Sequence, residues 1–135
     1  NGMIGNALHY IRTYGIPTPC HFQFVLGVGG GADGTVRNLS YLQEMLPAGS
    51  TWSVTGIGKT HLPMLLAALA MGASGVRVGL EDNLYFARGV KATNVQLVER
   101  AAELARLAGR QVATAEEARA MLGIRRHALR DYQPV

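Results

Sequence analysis

The chain has 135 residues, of which 48% are hydrophobic and 16% charged, so it is one domain's worth of sequence able to bury a core, and neither a linker nor a disordered arm. Thirteen Lys and Arg against nine Asp and Glu leave a net charge of +4, too small an excess to indicate nucleic-acid binding, and Arg125, Arg126 and Arg130 read as a solvated basic tail over residues 125–135. A single cysteine excludes an internal disulfide, no Cys/His spacing suggests a structural zinc site, and the longest apolar run, Leu62 to Met71, falls well short of the ~20 residues that span a bilayer. A soluble, reduced, cytoplasmic protein is expected.

Met3, Ile4, Ala7, Leu8 and Ile11 recur at helical spacing before Gly15 and Pro17, which predicts a helix over residues 3–14. His21-Phe-Gln-Phe-Val-Leu26 is a nearly continuous apolar run ending in a glycine loop, the pattern of a strand buried on both faces. Val36, Leu39, Leu42 and Leu46 mark a second helix, closed by Pro47 and Gly49. Thr51 to Thr55 is a second strand, ending at Gly56 and Gly58. Pro63 suits a first helical turn, so a helix is expected to run to Met71 with Gly72 at its end. Residues 75–80 form a third strand. A long helix follows from Asn94 to about Ala108, opened by a Thr93/Gln96 capping box, and a short one reaches Leu122 from a Thr114/Glu117 box.

Helices alternating with strands indicate an α/β protein with a parallel sheet. Three strands leave two open edges, whereas a (β/α)8 TIM barrel closes on itself and takes about 250 residues. The expected fold is therefore the C-terminal part of such a barrel, over residues 1–124. The missing initiator methionine and the first helix without a strand before it point the same way.

The chemistry concentrates in Arg77-Val-Gly-Leu-Glu-Asp-Asn83. On a strand, Arg77, Gly79 and Glu81 share one face and Val76, Val78 and Leu80 the other, so in a barrel the charged pair faces the interior near the strand's C-terminal end. Asp82, next to Glu81, is expected in the turn. An internal Arg77–Glu81 ion pair would also satisfy this pattern, but two carboxylates and an arginine within six residues favour a site, with a metal ligand and a base among them.

Other motifs are weaker. Gly29 to Gly34 matches GxGxxG between a strand and a helix, yet no acidic residue follows on the second strand to hold a ribose. Gly58-Lys-Thr60 resembles the end of a P-loop whose first glycine would fall on Ser53, and that motif is rejected. His61 reads as a cap for the next helix, Met64, Met71 and Met121 as helix core, Trp52 as core, and Cys20 as a small buried apolar residue.

The run GVRVGLEDNLY, with FQFVLGVGGG and WSVTGIGKTHLP before it and NVQLVERAAELARLAGRQVATAEEARAMLGI after it, closely resembles the C-terminal half of the β-keto acid cleavage enzymes. The resemblance runs from about Met3 to Ile124. It implies a (β/α)8 barrel that holds a divalent metal, most often Zn2+, and condenses a β-keto acid with acetyl-CoA to give acetoacetate and a new CoA thioester, the founding activity belonging to lysine degradation. By the same resemblance Glu81 matches the carboxylate metal ligand, Asp82 the catalytic acid/base, and Arg77 the arginine that positions that aspartate or the substrate. Gly29, Gly30, Gly58, Lys59 and Asn83 are the candidates to meet substrate or CoA. The family's two histidine ligands come from an early HxH, which this sequence lacks, so these 135 residues alone are expected to show neither turnover nor tight zinc binding. Ala73-Ser74 replaces the usual Gly-His, and residues 125–135 extend past the family core. A homo-oligomer without nucleic-acid or membrane partners is expected. The alternative function is a non-enzymatic phosphate- or nucleotide-binding module built on Gly29 to Gly34.

Overall fold

A computed structural model describes residues 2–124; the tail expected over residues 125–135 lies outside them. Three strands, β1 (His21–Leu26), β2 (Thr51–Gly56) and β3 (Gly75–Val76), form one parallel sheet in that order. Helix α1 (Gly2–Tyr14) precedes β1, while α2 (Val36–Glu44) and α3 (His61–Ala70) connect consecutive strands. A short antiparallel hairpin, β4 (Tyr85–Ala87) and β5 (Val90–Lys91), follows the sheet and leads to α4 (Asn94–Leu107) and α5 (Ala115–Met121).

Period-two alternation decides the core. The pairs Phe22–Trp52 and Phe24–Val54 lie opposite each other, and their side chains meet Ile4, Leu39, Leu42, Met64 and Ala68 from the three helices in one cluster. The reverse face carries His21, Gln23 and Val25 beside Thr51, Ser53 and Thr55. There His21 bridges its neighbour strand, with Nδ1 2.8 Å from Thr51 Oγ1 and Nε2 3.0 Å from Ser53 Oγ. The expectation that β1 is buried on both faces is corrected: His21, Gln23 and Val25 are exposed, because β1 is an edge and no described helix covers that side. Central β2 is the strand buried on both faces, from Trp52 to Gly56.

The third strand is also shorter than residues 75–80. Arg77 N–H still donates to Val54 O at 2.9 Å, but β2 then ends and its last carbonyl, on Gly56, is taken by the Asn83 side chain. Without a partner the segment leaves the ladder, and Gly79 takes a backbone conformation (φ +153°) that side-chain-bearing residues rarely adopt. The predicted alternation from Arg77 to Glu81 therefore does not persist to Glu81. Val76 still packs on the core, and Val78 lines a groove against α3 and α4. Both capping boxes form as expected. Met121 is exposed rather than core, since α5 buries none of its residues, and Cys20 is half-buried with its thiol donating to Pro17 O at 3.2 Å. No described helix is long and apolar enough to cross a membrane.

Thr60 fills the space between the loops that follow β1 and β2. A Cβ added at Gly27, Gly34 or Gly56 would collide with it, and at Gly56 the collision is with backbone. Gly56→Ala is accordingly expected to cost about 1–3 kcal/mol in urea unfolding. Gly5→Ala, in open space within α1, should instead stabilise by about 0.5–1 kcal/mol.

Candidate active site

Beyond the C-terminal ends of β2 and β3 the chain makes two loops, Ile57 to Thr60 and Arg77 to Leu84. Arg77, Glu81 and Asp82 come together on the second. The Arg77 guanidinium pairs with the Glu81 carboxylate, and its Nη1 lies 3.7 Å from Asp82 Oδ2. Glu81 and Asp82 both sit in the turn after β3, so the expectation for Asp82 holds, while Glu81 joins it there rather than ending a strand. These side chains are accessible: 38% exposed for Arg77, 73% for Glu81 and 34% for Asp82. Ion pairs that open to water contribute only about 0–1 kcal/mol, so this trio adds little to stability and can exchange its partners for a ligand at small cost.

Two asparagines hold that turn. Asn83 is buried, donates from Nδ2 to Gly56 O at 3.1 Å, and accepts from Gly58 N–H at 2.9 Å on Oδ1. Asn94, at the start of α4, accepts from Leu80 N–H at 3.0 Å. The carboxylates at 81 and 82 thus lie between two fixed points. Asn83, a candidate for substrate or CoA contact, has its amide engaged with backbone on both sides. The signal that missed Asn94 is its place in an ordinary helix start, where an asparagine draws no attention.

Gly58, Lys59, Asp82 and Asn83 line one cavity of about 690 Å³, walled on its far side by the β4–β5 hairpin and Arg100 of α4. Gly29 and Gly30 do not reach it; they lie in the exposed loop after β1. The hairpin was not expected, because its two-residue turn, Arg88-Gly89, lacks the Asn-Gly or Asp-Gly pair that announces such turns, although Gly89 supplies the required positive φ (+77°).

His61 is not the helix cap. Thr60 occupies that position and His61 begins α3, only 5% exposed. Its Nδ1 lies 3.3 Å from Arg100 Nη2, and a guanidinium can only donate, so Nδ1 accepts and the ring proton resides on Nε2. That Nε2 has no partner among the described residues. Arg100 also donates to Phe86 O at 2.7 Å and lies over the Phe86 ring, 4.3 Å from its centre, so one guanidinium locks the hairpin to α3 and α4. Burial, and secondarily the Arg100 charge, hold the His61 pKa below its ordinary value.

Two outcomes follow from these contacts. Because His61 protonates less readily folded than unfolded, its neutral form favours the fold above the ordinary imidazole value near 6.5, and that contribution is lost as pH falls from there. Melting temperatures measured from pH 8 to 5 should decline less steeply in His61→Gln than in the parent. Asn83→Ala, which strands Gly56 O and Gly58 N–H, should lower unfolding free energy by about 2–3 kcal/mol.

Comparison with known proteins identifies the setting of this site. A family profile described as beta-keto acid cleavage enzyme matches residues 1–124. The chain is 44% identical over 126 residues to a 3-keto-5-aminohexanoate cleavage enzyme of Fusobacterium nucleatum subsp. nucleatum, covering 93% of this chain and 45% of that protein. It is 44% identical over 123 residues to the enzyme of the same name in Acetoanaerobium sticklandii, covering 90% of this chain and 45% of the relative. A 3-dehydrocarnitine:acetyl-CoA trimethylamine transferase of Rhizobium meliloti is 36% identical over 107 residues, 79% of this chain and 35% of the relative. The chain spans less than half the length of these curated relatives. The family is one of enzymes, which favours catalysis over the phosphate-binding module. A match that takes in both loops, the hairpin and α4 shows that the chain belongs to the beta-keto acid cleavage enzyme family.

Proposed function

We propose that this chain is the C-terminal part of a (β/α)8 barrel that exchanges the acyl group of a β-keto acid for the acetyl group of acetyl-CoA, giving acetoacetate and a new acyl-CoA. The observation that carries this reading is the meeting of Arg77, Glu81 and Asp82 just past the C-terminal ends of parallel strands, where barrel enzymes place their reacting groups. Two relatives bear names with acetyl-CoA as a reactant, the trimethylamine transferase and a 3-oxoadipate:acetyl-CoA acetyltransferase of Cupriavidus necator.

In this reading the Asp82 carboxylate takes up the proton released as the carbon nucleophile forms and returns it when the new keto acid leaves. Arg77, which pairs with Glu81 and lies near Asp82, turns toward the negative charge that develops on the substrate. The clamps at Asn83 and Asn94 fix where that proton transfer occurs. A small cytoplasmic β-keto acid is the substrate class, and the exposed edge of β1 favours an assembly of several chains.

A divalent metal, most reasonably zinc, belongs to the same proposal, with Glu81 as the carboxylate offered to it. The described residues do not fit such an ion unaided: they contain no group of three His, Cys, Asp or Glu side chains placed to hold one, whereas catalytic zinc takes three protein ligands.

The test is turnover of β-keto acids with acetyl-CoA by the protein carrying this chain. Asp82→Asn should lower kcat by about 10²–10⁴-fold with the KM for acetyl-CoA nearly unchanged. Full activity in that variant would remove Asp82 from the proton path, and failure of every β-keto acid to react would overturn the reading.

A further inference from the structure

The β4–β5 hairpin is fixed at both ends and thinly attached between them. At one end Asn83 is clamped to the loop after β2, and at the other Thr93 and Gln96 close the capping box of α4. In the hairpin itself Tyr85 pairs with Lys91 and Ala87 with Val90, and Ala92 N–H donates to Leu84 O at 3.0 Å across the base. A two-stranded ribbon of this size is marginal by itself. Of residues 85–91 only Phe86 is half-buried, and the rest are exposed. Arg100 donates to the Phe86 carbonyl and lies over its ring, and among the described residues no other hydrogen bond or ion pair ties residues 85–91 to the body of the protein. One guanidinium therefore fastens this wall over the cavity.

That guanidinium is itself aimed by His61, whose Nδ1 can accept from Arg100 Nη2 only while the ring is neutral. A proton on Nδ1 removes the acceptor and sets an imidazolium N–H against a guanidinium nitrogen 3.3 Å away. The other ring nitrogen cannot compensate, because Nε2 is buried without a partner among the described residues. The neighbouring side chains do not compensate either. Lys59 from the loop after β2, Arg88 from the hairpin and Arg100 from α4 bring positive charge to the cavity, and Tyr85 brings a phenol. Asp82, from the turn after β3, is the one carboxylate that lines it, and it lies beside Arg77. Glu99 and Glu103 of α4 are exposed and do not line it, and β2 and α3 carry no carboxylate.

We infer that the hairpin is a proton-operated lid: neutral His61 holds Arg100 beneath Phe86 and keeps the cavity covered, whereas protonated His61 releases Arg100 and lets the hairpin swing out on its two fixed ends. The lid works whatever ligand the cavity takes, so it goes beyond the reaction proposed above. Opening brings water to both ring nitrogens and takes the guanidinium away, which makes the imidazole easier to protonate with the lid open than closed. Protons accordingly favour the open state, and the open fraction grows as pH falls below the ordinary imidazole value near 6.5.

The experiment is hydrogen exchange read by mass spectrometry on the protein carrying this chain, at pH 8 and pH 5, with each rate divided by the intrinsic rate at that pH. In the parent, amides of residues 85–92 should lose about tenfold in protection at pH 5, the equivalent of one lost hydrogen bond to a charged group, while those of β2 keep theirs. His61→Gln supplies an amide oxygen that accepts from Arg100 at either pH, so its hairpin should be as protected at pH 5 as at pH 8. Phe86→Ala, which takes the ring from under the guanidinium, should already be less protected than the parent at pH 8. Equal protection of the parent hairpin at both pH values, or the parental loss persisting in His61→Gln, overturns the lid. Parental protection in Phe86→Ala at pH 8 shows the hairpin fastened elsewhere and overturns it as well. So does a matching loss in β2, since the chain then loosens as a whole.

Discussion

The buried Asn83 amide donates to Gly56 O and accepts from Gly58 N–H, so the turn after β3 cannot shift relative to the end of β2 without stranding two backbone groups. That bridge sets where the charged residues of both loops lie. Arg77, Glu81 and Asp82 lie on the turn it anchors, and Gly58 and Lys59 lie on the loop at its other end. An unsatisfied buried polar group costs 1–3 kcal/mol, several times what the exposed ion pairs of the trio contribute, and this difference divides the labour. Buried neutral amides hold the scaffold, while the charges of the trio stay accessible to solvent.

The same division explains the glycines. Gly27, Gly34 and Gly56 surround Thr60, and each is required by contact, since any side chain would enter its space. Thr60 in turn donates to Ile57 O at 2.8 Å, closing the 3-10 turn from which α3 starts. The loop after β1 is therefore shaped from inside by a threonine, and its exposed members, Gly29 and Gly30, are free of that duty. A glycine-rich loop between strand and helix is commonly read as a phosphate cradle; in this chain packing accounts for much of it.

The hairpin and the His61–Arg100–Phe86 group give the cavity a second wall. Arg100 is the link, since its guanidinium joins the hairpin backbone, the Phe86 ring and the first residue of α3. Burial, and after it this charge, lowers the His61 pKa, which disfavours the charged imidazolium in that wall.

Local rules were enough for most elements. Apolar runs and capping residues placed β1, β2 and the helices, because Thr93 with Gln96 and Thr114 with Glu117 satisfy helix ends by contacts three residues apart. The cluster of charge at Arg77, Glu81 and Asp82 was also legible, since it lies within six residues. What required the folded chain was every feature that depends on a distant partner. The length of β3 was decided by where β2 runs out of carbonyls, and the exposure of one face of β1 by the lack of a helix over it. The hydrogen-bond partner of His61 is Arg100, thirty-nine residues away, and Asn83 is employed by a loop twenty-five residues earlier. Sequence alone determines which residues can react and which local elements can form, through periodicity and near-neighbour hydrogen bonds. Only tertiary structure decides which polar groups remain unsatisfied by the backbone and so which charges are left to meet a ligand.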